Sequence, residues 1–209
     1  MAEARGILAV LGALWLATLL FLPPVSVLVA LCVLFTLFFF RDPRREPPAD
    51  PDLAVAPADG KIVAVETCDG DGETGAPVRR VVIFLSIFDV HVNRSPITGR
   101  VVRSEPKDGL FLDARNPQSS VRNARRVWVI DGSAGRVVVR QITGAIARRI
   151  VAWSRVGDGL ARGERFGMIR FGSRTEVDFP EGTEILVAPG DHVRGGETAI
   201  ARLPGAGKP

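Results

Sequence analysis

Residues 6–40 form a run of 35 positions without a single charged side chain. Such a run exceeds the roughly 20 residues that carry one helix across about 30 Å of hydrocarbon, and it is more than a small soluble core accommodates. Of 27 basic and 23 acidic residues in the 209-residue chain, only Glu3 and Arg5 precede Arg41. The chain is therefore two chemically different parts joined near Arg41. This excludes a uniform soluble globule, a disordered chain and a collagen-like scaffold. A disulfide framework is excluded as well, because Cys32 lies in the apolar part and Cys68 in the polar one.

Pro23 and Pro24 split the apolar run into residues 6–22 and 25–40, each close to the lower limit for a spanning helix. A helical hairpin is the main expectation, with one kinked, tilted helix as the alternative. The run is too long for the apolar region of a signal peptide, and Arg41, Arg44 and Arg45 follow it as a stop at the headgroups. With Arg5 on the other flank, the positive-inside rule puts both ends of a hairpin on the cytoplasmic side of the cell membrane. We divide the chain into a membrane-associated hairpin with its basic flank (residues 1–45) and a β domain (residues 46–209).

Beyond a Pro- and Arg-rich linker the pattern is β. Short Val- and Ile-rich runs recur between Gly turns at 61–66, 80–88, 99–105, 125–131, 135–142, 176–180 and 184–189. Only residues 144–153 are compatible with a helix. Pro57 to Val63 and Pro96 to Val102 share the form P-x-x-G-(K/R)-(I/V)-V, and the turn around residues 189–198 is of the biotinyl/lipoyl kind. The expected fold is mainly β, a small barrel or sandwich related to barrel-sandwich hybrids, with an N-terminal apolar helical hairpin.

Candidates for chemistry are few. His91 and His192 are the only imidazoles. His192 sits in a Gly-rich turn, the setting of a solvated loop residue. His91 follows an apolar strand, and alternation sets Asp89, His91 and Asn93 on one face. In residues 163–180 a Gly172-Ser173 step interrupts two strand-like runs. Glycine leaves its carbonyl carbon unshielded, which suits attack by the following serine hydroxyl.

Here the sequence resembles the phosphatidylserine decarboxylase proenzymes, particularly their short membrane-associated bacterial and archaeal form. The shared stretches are PADGKIV (57–63), FDVHVNRSPITGRV (88–101), the Gln141-Ile142-x-Gly144 stretch through Val151, and GERFGMIRFGSR (163–174). The likeness covers about residues 45–203. It departs where the family has N-E-R-N and this chain keeps only Arg122-Asn123, and where longer members carry a second histidine and this chain has Arg94.

The resemblance implies self-cleavage between Gly172 and Ser173 into a β chain (1–172) and an α chain (173–209). Ser173 Oγ, deprotonated by His91 with Asp59 as orienting carboxylate, attacks the Gly172 carbonyl and gives an ester. Elimination and loss of ammonia then leave a covalent pyruvoyl group in place of Ser173, with no pyridoxal phosphate and no metal. This ketone accepts the electron pair released when phosphatidylserine loses carbon dioxide and becomes phosphatidylethanolamine. The implied partners are that substrate and membrane lipid, with Arg94, Arg122 and Asn123 as headgroup contacts. A homo-oligomer is compatible with the pattern.

Two other classes use the same residues differently. A membrane-anchored hydrolase would turn Asp59, His91 and Ser173 on an external substrate and leave the chain uncut. A membrane-tethered barrel adaptor would have no chemistry, and a carrier is excluded because its turn at 190–197 has no lysine. The arginines are scattered without an aromatic-basic module, so no nucleic-acid partner is expected.

Overall fold

Pro23 and Pro24 lack amide hydrogens, so in a helix they fit only where no hydrogen bond is lost. A computed structural model, describing residues 2–69, 77–145, 149–170 and 173–204, places them there. Helix α1 spans Arg5–Phe21, and α2 spans Pro23–Phe39 with its prolines in the first two positions. The two helices pack on each other across Leu22, so the chain reverses at this point. Each has 17 residues, about 25 Å at the helical rise. No helix among the described residues is long and apolar enough to cross a membrane. This corrects the expectation of spanning length, because the proline break shortens both halves. Residues 1–44 form one compact unit and 45–209 another.

The second unit is mainly β. Its strands are β1 (Leu53–Val55), β2 (Gly60–Cys68), β3 (Val78–Leu85), β4 (Val92–Arg94), β5 (Gly99–Lys107), β6 (Arg125–Gly132) and β7 (Gly135–Ile142). They continue as β8 (Arg149–Ala152), β9 (Gly159–Leu160), β10 (Arg165–Arg170), β11 (Ser173–Pro180), β12 (Glu184–Ile185), β13 (His192–Val193) and β14 (Ala199–Arg202), with a short helix α3 (Ser119–Arg122) before β6. Eight strands in the order β13-β2-β3-β11-β7-β6-β5-β9 form a sheet curled into a half-barrel. Two three-stranded sheets, β4-β10-β8 and β1-β14-β12, complete the unit. The run at 144–153 is not helical where it is described: Ile150 and Val151 lie in β8, paired with β10, as β-branched side chains favour.

Alternation along the central strands sorts the side chains onto two faces. Val81, Ile83, Leu85, Trp128, Ile130, Val137, Val139, Val177 and Phe179 point into the main core. The opposite face of β11 carries Arg174, Glu176 and Asp178, all buried. Asp178 takes a two-pronged contact from Arg80 (2.7 and 2.9 Å) and one from Arg140 (2.7 Å). Glu176 Oε1 accepts from Arg174 Nε (2.8 Å) and Ser120 Oγ (2.6 Å). The two neighbours of β11 thus hold it by charge as well as by backbone ladders.

The repeated P-x-x-G motif is a repeat of structure. Gly60 and Gly99 each open a nine-residue strand, and each strand has its bulge at the same step, between Ile62 and Ala64 or between Val101 and Arg103. Each bulged strand is then met by an equivalent Gly-Asp turn. Ile62 N donates to Asp191 O (2.8 Å) and Val101 N to Asp158 O (2.9 Å), while Gly190 N returns to Ile62 O and Gly157 N to Val101 O. The halves are joined reciprocally, Val55 N to Pro96 O and Arg94 N to Pro57 O, both at 2.9 Å. A Cβ on Gly60 would stand 2.2 Å from the Phe84 carbonyl oxygen, and one on Gly99 would stand 2.5 Å from that of Asp131. Gly60→Ala and Gly99→Ala should each lower stability by about 1–3 kcal/mol, read from the urea midpoint at unchanged m; a neutral result would show that the strand starts can move apart.

Candidate active site

The segment around His91 is fixed by a turn. β3 ends at Leu85, and Asp89 Oδ2 accepts from Ser86 N (2.8 Å) and Ser86 Oγ (2.7 Å). Residues 86–91 therefore connect strands of two different sheets, so the alternation expected for Asp89, His91 and Asn93 does not run through them. The His91 side chain is wholly buried. Its Nδ1 lies 2.9 Å from the Asp89 carbonyl oxygen. A carbonyl can only accept, so Nδ1 carries the proton, and in the neutral ring the lone pair sits on Nε2.

A buried polar chain fixes this segment against the sheet. Trp128 Nε1 donates to Gln141 Oε1, and Gln141 Nε2 donates to Asn93 Oδ1, both at 2.7 Å. Asn93 Nδ2 then donates to the Pro57 carbonyl at 3.3 Å. The close approach depends on Gly167, where a Cβ would stand 3.2 Å from Gln141 Nε2 and 2.6 Å from the Val151 carbonyl oxygen. The chain ties β6 and β7 to β4, which follows His91, and to the turn that holds Asp59.

Asp59 is partly buried and doubly bound. Its Oδ2 accepts from Arg45 (2.6 Å), and its Oδ1 accepts from Gly195 N (2.7 Å). Removal from water nevertheless dominates and raises its pKa above the ordinary carboxylate value, against the opposing pull of Gly195 N and Arg45; the negative charge of Asp89 adds to the rise. The other half of the repeat provides an internal comparison. There Thr98 Oγ1 accepts from Arg162 N (3.1 Å), as Asp59 accepts from Gly195 N. The turn needs an acceptor at this position, not a charge.

Ser173 is the first residue of β11, paired with Leu85 of β3. It is wholly buried, and its Oγ has no hydrogen-bond partner among the described residues. One strand, β3, lies between the turn of Asp59 and Ser173, because Lys61 pairs with Phe84 and Phe84 with Arg174. His91 O accepts from Ile169 N at 3.2 Å. Ser173 follows Ile169 by four residues, at most about 14 Å of extended chain. Asp59 and Ser173 thus stand at the same end of the half-barrel, and His91 is tied to β10, the strand that precedes Ser173. Gly172, the other half of the expected scissile bond, lies outside the described residues.

The remaining candidates are placed differently. Arg94 is buried and donates to the Gly163 carbonyl (3.0 Å), threading past Gly196, where a Cβ would come within 2.5 Å of its Cδ. Asn123 is also buried. Its Oδ1 accepts from Leu112 N, and its Nδ2 donates to the carbonyls of Leu112 and Thr143. Both brace the scaffold. Arg122 is exposed and bonds Gln118 Oε1 at 3.3 Å. His192 lies in the exposed part of β13. Arg45 was missed by sequence reasoning, because it reads as part of a basic membrane flank; it belongs to the β unit and joins Asp59 to Glu197 (2.7 Å).

Residues 33–201 match the family model for phosphatidylserine decarboxylase. The chain belongs to the phosphatidylserine decarboxylase family. It is 48% identical over 193 residues to the phosphatidylserine decarboxylase proenzyme of Trichlorobacter lovleyi, covering 92% of this chain and 87% of that protein. The proenzyme of Symbiobacterium thermophilum is 46% identical over 172 residues (82% and 80% of the two chains), and that of Solibacter usitatus 48% over 188 (90% and 86%). Within this decarboxylase family member, the charge of Asp59 exceeds what its turn requires.

That excess has a measurable sign. In the unfolded chain Asp59 ionises near 3.9, and in the folded chain at a higher pH. Between these values only the unfolded state has lost the proton, so the stability contributed by the protonated carboxyl is full below the lower value and is lost as pH rises through the higher one. Asp59→Asn should therefore gain stability relative to the parent as pH climbs from about 3.5 through the folded-state value. Urea unfolding across that range checks it, and a shift in the opposite sense would mean that Arg45 outweighs burial.

Proposed function

We propose that this chain is a proenzyme that cuts itself between Gly172 and Ser173, forms a pyruvoyl group from Ser173, and decarboxylates phosphatidylserine to phosphatidylethanolamine. The observation that carries the reading is the Ser173 hydroxyl, wholly buried and without a hydrogen-bond partner among the described residues. A hydrolase would present its nucleophile to an outside substrate. A hydroxyl sealed in a strand has its own backbone as the available electrophile, and a buried polar atom without a partner costs about 1–3 kcal/mol.

In this reading His91 Nε2 takes the proton of Ser173 Oγ as the oxygen attacks the Gly172 carbonyl carbon. The Asp89 carbonyl holds the imidazole in the tautomer that leaves Nε2 basic. Asp59 supplies negative charge toward the imidazolium, and the contact from Arg45 opposes the rise in its pKa that burial causes. The pyruvoyl group, once formed, supplies the electron sink for decarboxylation. His91 then returns a proton to the product carbon.

Beside Leu85 a groove of about 400 Å³, lined by Phe84, Ile87 and Ala114 among others, offers an apolar surface one strand from Ser173. A lipid chain suits it, and Arg122 is the exposed cation nearby in sequence for a headgroup. Helices α1 and α2 expose Val10, Leu16, Leu20, Phe21, Leu28 and Leu34. We place them in the bilayer as an anchor, with the β unit on the cytoplasmic face, because a diacyl substrate leaves the membrane reluctantly.

Intact-mass measurement of the purified protein should find two fragments, residues 1–172 and a chain beginning at position 173 with a blocked, ketone-bearing terminus. Ser173→Ala should remain full length and inactive. His91→Ala should mature at least 100-fold more slowly, within the range for a lost general base. Active protein consisting of a single uncut chain would end the proposal.

A further inference from the structure

Ser173 stands between two cavities of opposite character. Its partner on one side, Leu85, lines the apolar groove of about 400 Å³. On the other side Ile142 pairs with Arg174. The next residue, Thr143, lines a second cleft of about 220 Å³. Neighbouring strands are about 4.8 Å apart, so each cavity begins one strand spacing from Ser173.

The second cleft is cationic. Lys107, Arg125, Arg126 and Arg149 line it against one carboxylate, Asp108. The ladders set like charges opposite each other, Lys107 with Arg125 and Arg149 with Arg170, an arrangement that destabilises a sheet unless an anion relieves it. Arg125 donates to the Val121 carbonyl, and Arg126 donates to the Ser104 carbonyl and hydroxyl; all these acceptors are neutral. Arg126 Nε is buried without a hydrogen-bond partner among the described residues. Burial also pushes the Arg126 guanidinium below its usual pKa, with no carboxylate to oppose the shift. Among the described residues no carboxylate pairs with this partly desolvated guanidinium.

We propose that this cleft is the phosphodiester subsite of the Ser173 centre, with Arg126 and Arg149 as its main contacts. The proposal rests on the reading of Ser173 given above and adds how the substrate lies. Guanidinium groups grip phosphate oxygens in pairs and suit a partly buried site better than lysine does. In a phosphoserine lipid, three bonds separate phosphorus from the serine α-carbon, a reach comparable to one strand spacing. A phosphate held beside Thr143 thus sets the amine and carboxylate of the headgroup over position 173, while the apolar groove takes a lipid chain on the far side. A headgroup of another length would put its amine elsewhere.

The test uses mature protein and dihexanoyl phosphatidylserine, which is short enough to stay monomeric, beside vesicles of long-chain phosphatidylserine in phosphatidylcholine. Arg126→Gln and Arg149→Gln should each raise KM at least tenfold for both substrates, with kcat falling less than threefold. Arg202→Gln, in β14 and paired with Asp50 outside the lining of the cleft, is the control. Calorimetry with dihexanoyl phosphatidylmethanol, a phosphodiester with neither amine nor carboxylate, should show the same loss in Kd without any turnover. An unchanged KM with the short substrate overturns the inference. So does a loss confined to vesicles, which would make the cleft a membrane-surface contact, and so does inorganic phosphate binding as tightly as the lipid. If the parent protein bound phosphatidylmethanol through Arg126 yet failed to decarboxylate phosphatidylserine, the subsite would stand and the reading of Ser173 would fall.

Discussion

The hydrogen bond between Gln141 and Asn93 is the contact on which the arrangement of the site depends. It joins β7, the neighbour of the strand that begins with Ser173, to β4, the strand that follows His91. Asn93 extends the link to Pro57, two residues before Asp59. Three segments remote in sequence are thereby given one frame. The bond lies in the core, where a half-satisfied amide would be costly, so the chain of donors and acceptors from Trp128 to Pro57 favours one packing over its neighbours. Rigid support of this kind is what chemistry at a backbone carbonyl requires, since the attacking oxygen has little room for misplacement.

Much of the architecture could be read from the residues. The proline pair located the break between α1 and α2, and alternating Val and Ile located most of the long strands. The P-x-x-G motif identified one half of a duplication. The other half was equally visible, as Gly157-Asp158 and Gly190-Asp191 with Gly163-Glu164 and Gly196-Glu197, but short glycine turns carry little weight until their partners are known. The two-residue strands β9 and β13 left no periodic signal because such lengths hold no period, and the run expected over 184–189 is a strand only at β12, Glu184–Ile185. The apolar run from β3 through His91 misled for a physical reason: Asp89 folds back on Ser86 and turns the chain into another sheet, and alternation cannot register a turn capped by a side chain.

The site was legible to the extent that chemistry is scarce in this sequence. With two histidines and one Gly-Ser step in a strand context, His91 and Ser173 stand out by elimination and by family likeness. Arg45 did not, because its partner Asp59 is distant from any pattern that would pair them. Arg126 is one of many arginines in the sequence, and only tertiary structure reveals that its guanidinium has no carboxylate partner among the described residues. The duplication clarifies Asp59 in retrospect. Thr98 does the same structural work in the twin turn, so the additional carboxylate oxygen and its charge are what distinguish the half that carries the site.

Strand β11 has a further consequence. It is interior to the eight-stranded sheet, flanked by β3 and β7 and gripped through Asp178 by an arginine from each. The strands after it pair elsewhere, β13 with β2 and β14 with β1. A backbone severed just ahead of β11 would therefore yield two polypeptides interwoven through two sheets. They would behave as one body until denatured, and neither could be exchanged for a separately synthesised copy without dismantling the other.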